Sequence, residues 1–293
     1  MGLAFALMWS SAFTSARMIV LDAPPLTALA LRFLLSGLIG VGAALALGQS
    51  WRLTPGQWRA TLVFGVMQNA AYLGLNFIAM QRVGASEAAI IASTMPLLVA
   101  LAGWLVLRER LGVAGTAGLV AGFGGVAIIM GARLSGGVDP VGVGLCVVAA
   151  VALTVATLAV RGASGGGNLL MVVGLQMFVG AGVLGVLALA FESWEVNWTP
   201  RLAGAFFYQV LVPGLLATWV WFALVARIGA VRAAVFHFLN PVFGVVIAAA
   251  LLAEPLGFAD LIGVVVVAGG ILVVQWARAP GAAAGSRAQR PAP

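Results

Sequence analysis

Long apolar stretches separated by short polar connectors run along the whole chain, and their lengths predict ten membrane-crossing helices. Such a helix needs about 20 apolar residues to span a hydrocarbon core of about 30 Å. Ten stretches qualify: Gly2–Val20, Leu26–Leu47, Gln57–Gln81, Glu87–Leu107, Val113–Ala132, Val141–Val160, Asn168–Phe191, Leu202–Val225, Ala230–Ala253 and Phe258–Ala277. Helix breakers mark the connectors, among them Asp22-Ala23-Pro24-Pro25, Thr54-Pro55-Gly56, Ser135-Gly136-Gly137, Ser164-Gly165-Gly166-Gly167 and Thr199-Pro200. The stretch at Gly2 lacks a basic leader and reads as a first membrane helix rather than a cleaved signal peptide.

The apolar pattern is also duplicated. Shifted by 145 residues, Phe77–Arg133 aligns with Phe222–Arg278 without a gap, and 18 of the 57 pairs are identical. Helices 3–5 therefore match helices 8–10, and by extension 1–5 match 6–10. Five crossings end on the opposite side from where they began, so the second repeat must be inverted. The expected architecture is an all-α membrane protein of two inverted five-helix repeats: residues 1–134, residues 135–278, and a disordered cytoplasmic tail over 279–293. Inverted repeats that rock about a midplane site are a signature of secondary transporters.

Two groups of residues carry a family resemblance. The first is Gly84-Ala85-Ser86-Glu87-Ala88-Ala89, Pro96, Glu109-Arg110-Leu111, Gly118 and Gly124-Gly125. The second is Gly229-Ala230-Val231-Arg232-Ala233-Ala234, Asn240-Pro241, Glu254-Pro255-Leu256, Gly263 and Gly269-Gly270. Each resembles the EamA repeat of the drug/metabolite transporter superfamily, and in detail the chain is similar to YddG-type exporters of aromatic and other amino acids. The resemblance covers essentially the whole chain. It implies a ten-helix transporter of small molecules, and relatives handle amino acids, nucleotide sugars, purines or drugs.

Composition and charge narrow the picture further. With 63% apolar and 8% charged residues, the chain cannot clothe a soluble domain, which is about 45–50% apolar and about 25% charged. All fifteen basic residues are arginine and the net charge is +7. They are scattered singly rather than striped among aromatics, which excludes nucleic acid as a partner. With the N-terminus placed in the cytoplasm, ten arginines fall inside and four (Arg17, Arg82, Arg133, Arg201) outside, a positive-inside bias. This predicts a multi-pass protein of the bacterial inner membrane with both termini cytoplasmic. Its partners are the bilayer and a small-molecule solute, and it is a monomer or weak homo-oligomer. Arg32 falls on neither side, about 9 Å inside helix 2; it either snorkels or anchors a substrate carboxylate.

Candidate site residues emerge from comparing the halves. Residues present in both serve the shared fold, whereas polar residues present in one serve something asymmetric. Helix 3 carries Gln68, Asn69, Tyr72 and Asn76 at spacings of three and four, which is one helical face. The counterparts of the first two are Pro213 and Gly214. Helix 9 carries His237 and Asn240 where helix 4 has Ala92 and Met95. An amide without a partner in hydrocarbon costs several kcal/mol, so these groups bond one another or line a wet cavity. Trp9 and Ser11 on helix 1, Thr154 and Thr157 on helix 6, and Trp219 and Trp221 on helix 8 complete the candidates, though the hydroxyls could bond their own helix. Pro96 and Pro241 fall at the midplane and predict helix breaks. Glu109 and Glu254, just before helices 5 and 10, are candidates for helix-end stabilisation or gating. The glycines of helices 5 and 10 read as close packing outside the substrate path.

No Asp or Glu lies in the middle of a span, and His237 is the intramembrane group suited to titrate near neutral pH. No metal-ligand cluster is visible, so neither a metal nor a cofactor is expected. Cys146 lies within helix 6 as a packing residue. The sequence thus predicts an alternating-access exporter of aromatic or other neutral amino acids and related metabolites. Export of drugs, purines or organic cations is the alternative; a channel or an intramembrane enzyme fits less well.

Overall fold

The computed structural model describes residues 1–106, 108, 112–159, 168–228, 233 and 235–277. Its elements are helical throughout: α1 (Gly2–Val20), α2 (Pro25–Ala46), α3 (Pro55–Ala79), α4 (Ala85–Leu105), α5 (Val113–Ser135), α6 (Pro140–Ala159), α7 (Leu169–Phe191), α8 (from Pro200–Gln209 through Ala217–Ile228), α9 (Asn240–Leu252) and α10 (Phe258–Ala277). Nine of these, α9 excepted, are long and apolar enough to cross a membrane. The ninth span is split: a 3-10 turn at Val235–Leu239 leads into α9. The tail from Ala279, and Glu109 with it, lie outside the described residues.

The duplication in the sequence is a duplication of local structure. Thr54-Pro55 opens α3 and Thr199-Pro200 opens α8; each threonine hydroxyl accepts a hydrogen bond from a backbone N–H of its helix, that of Gln57 at 3.3 Å and that of Leu202 at 3.0 Å. Each accounts for one of the four donors a helix start leaves unpaired. Both helices contain a π-helical stretch at the same offset, Gly65–Tyr72 and Val210–Leu216. Both of the following spans break at the same place. In α4 the break is the turn at Ser93-Thr94, in the second repeat it is the 3-10 turn, and Pro96 and Pro241 open the helices that follow. A proline is tolerated there because the first N–H groups of a helix have no intrahelical acceptor.

Packing repeats the exchange between halves. The two most extensive helix pairs are α5 with α10 and α2 with α7, each a helix against its own counterpart, while α1 packs on α9 as α6 packs on the second half of α4. Glycines hold α5 and α10 in backbone contact. A Cβ added at Gly125 would lie 2.9 Å from the Gly263 carbonyl, and one at Gly270 would lie 2.7 Å from the Gly118 carbonyl.

The two ends of the bundle differ. At the end opposite the N-terminus, charged groups tie the connectors together. Arg133 pairs with Glu87 at 2.5 Å and binds both oxygens of Asp260 at 3.0 Å. Arg82 bonds Asp139 at 2.9 Å, and that hydrogen bond holds the Asp139 carboxyl below its usual range. Glu192 accepts from the Leu26 and Thr27 backbone N–H groups at 2.7 Å, at the start of α2. At the N-terminal end the matching α7 residue, Met171, donates instead to the neutral Gln49 amide at 3.1 Å.

Candidate functional site

A cavity of about 460 Å³ lies between the repeats, lined by residues of α1–α4, α6–α9 and the 3-10 turn before α9. It reaches from the helix breaks at mid-bundle to Gln57 and Leu169, in the first turns of α3 and α7, and so approaches the N-terminal end. No described residue of α5 or α10 lines it. Those two helices form a separate seam, which accounts for their demand for small residues.

One wall is aromatic. Phe5 stacks 4.8 Å from Trp221 and meets the His237 ring edge-on at 5.3 Å; Trp9 and Trp221 also face His237, at 6.1 and 5.3 Å. Tilted and edge-to-face contacts of this kind suit the quadrupoles of the rings. The Asn240 amide nitrogen lies 2.9 Å from His237 Nδ1. Ser10 in turn donates to the Asn240 carbonyl at 3.3 Å, tying this wall to α1.

Another part of the lining is polar. Arg32 is buried in α2 and its guanidinium carbon sits 5.1 Å from the centre of the Phe33 ring. Gln68, Asn69 and Tyr72 face the cavity from the π-helical stretch of α3. Asn69 donates to the Gln176 carbonyl of α7 at 3.0 Å, an approach open because Gly180 has no side chain; a Cβ there would lie 2.5 Å from that of Asn69.

Of the residues singled out in the sequence, the cavity brings together Trp9, Arg32, Gln68, Asn69, Tyr72, Pro96, Thr157, Trp221, His237 and Asn240. Others lie elsewhere. Asn76 is buried off the cavity and donates to the Tyr72 carbonyl at 2.8 Å. The reading of four polar residues on one face assumed 3.6 residues per turn throughout, and the π-helical turn changes that phase. Thr154 is buried and bonds the Ala150 carbonyl of its own helix at 2.8 Å. Ser11 bonds the Met8 carbonyl and, at 2.7 Å, the Tyr208 hydroxyl, outside the cavity. Trp219 is 61% exposed on the perimeter, two residues from Trp221 and thus on the other side of α8. Pro241 is buried and does not line the cavity. Glu254 does not serve its own α10: it reaches α4 and accepts from the Ala85 and Ser86 backbone N–H groups at 2.7 and 3.0 Å and from the Ser86 hydroxyl. Its partner in the first repeat, Glu109, lies outside the described residues.

The cavity also includes residues that the sequence reading passed over: Phe5, Phe33, Gln57, Gln176, Met177 and Thr218. Gln176 was accessible to the comparison of halves, since its counterpart is the apolar Leu31. Phe5 and Phe33 carried no signal, because an aromatic residue in a membrane helix looks the same wherever it points.

Comparison with known proteins sets this geometry in context. The model of the EamA-like transporter family matches residues 1–131 and again 140–276. The uncharacterized transporter YvbV of Bacillus subtilis is 30% identical over 271 residues, which are 92% of this chain and 88% of that one. Protein PecM of Dickeya dadantii is 24% identical over 90% of this chain and 86% of its own. The aromatic amino acid exporter YddG of Ancylobacter novellus is 32% identical over 113 residues, 39% of either chain. A solved crystal structure superposes with a TM-score of 0.70 over 99% of this chain and 97% of the other, at 22% identity, which speaks for the fold alone.

Proposed function

Because the chain belongs to the EamA-like transporter family, we propose that it exports aromatic or other neutral amino acids, and related small metabolites, by alternating access. The observation that carries this reading is one cavity lined by both a buried guanidinium and an aromatic cluster. A zwitterion with an apolar side chain needs both: a guanidinium pairs with a carboxylate through two parallel hydrogen bonds, and stacked rings accept an apolar side chain. At about 460 Å³ the cavity falls within the ~300–1,000 Å³ typical of small-molecule sites. The similarity of part of the chain to an aromatic amino acid exporter points the same way.

Access supports the export reading. The cavity approaches the N-terminal end, the cytoplasmic end by the arginine count, while the charged contacts tie the opposite end. On this reading solute loads from the cytoplasm. Release requires the far-end contacts of Arg133, Glu254 and Glu192 to part while the N-terminal end closes over the cavity.

Export of purines or other metabolites is a second reading, favoured by the amides of Gln68 and Asn69, which can meet the edge of a base. Organic cations fit poorly beside Arg32. Uptake into proteoliposomes from a panel of amino acids, nucleosides and cationic drugs decides between them. Saturable transport of phenylalanine or a similar neutral amino acid is the expected result. A panel in which no amino acid is carried or competes would overturn the substrate class.

A further inference from the structure

Arg32 has an unusual position for a charge. It is 7% exposed, and its Nε is buried without a hydrogen-bond partner. Among the described residues no carboxylate pairs with it; the ion pairs of Arg82 and Arg133 lie at the far end of the bundle. One turn further along α2, the Ser36 hydroxyl is likewise buried and without a partner. The facing wall of α8 keeps this spot open. A Cβ at Gly214 would lie 3.3 Å from the Ser36 oxygen and 4.0 Å from Arg32 Nη2. The charge is asymmetric too, since the matching residue of the second repeat, Met177, lines the same cavity without one.

We propose that Arg32 anchors the carboxylate of the solute and that this pairing is what permits the cavity to change sides, making the protein an exchanger of carboxylate-bearing solutes. This deepens the transport reading above and rests on it. While the cavity is open, water reaches the part of the guanidinium that lines it, and Nε is buried without a partner. To pass to the other side, the cavity must close over it and shed that water. An ion deprived of both water and a counter-charge is strongly disfavoured, whereas a bidentate carboxylate supplies the missing acceptors. The empty protein is held on one side, and the loaded protein crosses. Translocation-scale costs for arginine in mid-membrane correspond to a rate difference on the order of 10²-fold. Net one-way flux is then slow, and exchange of one carboxylate for another is fast.

The test combines transport with binding. In proteoliposomes, phenylalanine uptake should run roughly 10²-fold faster into vesicles preloaded with phenylalanine than into empty ones, and phenethylamine, which lacks the carboxylate, should not replace it on either side. In Arg32→Gln the preloading effect should disappear, while Arg32→Lys, which keeps the charge, should retain part of it. In detergent, 3-phenylpropionate should raise the melting temperature of the wild type but not of Arg32→Gln. The empty Arg32→Gln protein should melt higher than the wild type, because it no longer buries an unpaired charge; a merely structural arginine predicts the reverse. Equal uptake into empty and preloaded vesicles overturns the exchange mechanism, and stabilisation by phenethylamine equal to that by 3-phenylpropionate overturns the anchor. If 3-phenylpropionate stabilises and exchanges while no amino acid moves, Arg32 stands and the amino-acid reading falls.

Discussion

Trp219 and Trp221 stand two residues apart on α8, one on the perimeter and the other against Phe5 and His237. Composition treats them alike, and only the helical phase separates them. Trp221→Ala should therefore lower transport up to about tenfold, the scale of an aromatic contact worth ~0.5–1.5 kcal/mol beyond its buried area. Trp219→Ala should leave it within about twofold, by the general mildness of perimeter changes; initial uptake rates in proteoliposomes, normalised to folded protein, check both. If Trp219→Ala were the more damaging, the assignment of these two faces would be wrong. A comparable contrast separates Asn69 from Asn76. Both are buried amides, but Asn69 spans to α7 and Asn76 bonds its own helix. The sequence exposed both as unduplicated polar residues in hydrocarbon. It could not assign their partners, since those depend on which helix lies alongside.

Among elements, the π-helical stretches and the split spans show how the duplication acts. The breaks at Pro96 and Pro241 were legible, because proline states its constraint locally. The π turns were not. Gly65–Tyr72 contains no proline, whereas Val210–Leu216 contains Pro213, so no single residue type marks the geometry they share. The glycine pairs Gly124-Gly125 and Gly269-Gly270 divide in the same way. Gly125 and Gly270 lie against the opposing backbone, while Gly124 and Gly269 face open space. Gly270→Ala should destabilise the α5–α10 seam by ~1–3 kcal/mol, and Gly124→Ala should be neutral or slightly stabilising, since alanine favours a helix by ~1 kcal/mol over glycine. Thermal melting in detergent distinguishes them, and equal effects would mean that the seam is not the tight contact described. At the far end, Glu254 links the α9–α10 connector to the first turn of α4. Glu254→Gln removes a charge-assisted contact of ~1.5–3 kcal/mol, so a cysteine placed at Ala92 in a Cys146→Ala background should react about tenfold faster with an impermeant maleimide from that side. An unchanged rate would show that Glu254 holds helix structure without restraining access.

For the whole molecule, two similar halves enclose a cavity whose walls are unlike. The symmetric packing of α2 on α7 and α5 on α10 suits the alternating access proposed above, and the asymmetric lining suits a single solute orientation. If both termini are cytoplasmic, as the arginine count predicts, a protease site appended at the C-terminus should be cleaved in inside-out vesicles and protected in spheroplasts. Cleavage in spheroplasts would reverse the orientation and turn the proposed export into import.

The sequence by itself determined the helices, their inverted duplication and the family. Those features are written in local periodicity, in proline and glycine, and in a repeat that needs no knowledge of neighbours. It also marked Arg32, Gln68, Asn69, His237 and Asn240 as misplaced polarity in hydrocarbon. Tertiary structure alone decided that the cavity takes Trp221 and not Trp219, that Asn76 turns away, that Phe5 and Phe33 join the lining, and that Glu254 crosses to α4. Each of these depends on helix phase through a π turn or on contact between elements far apart in the chain, and neither is encoded in any window of neighbouring residues.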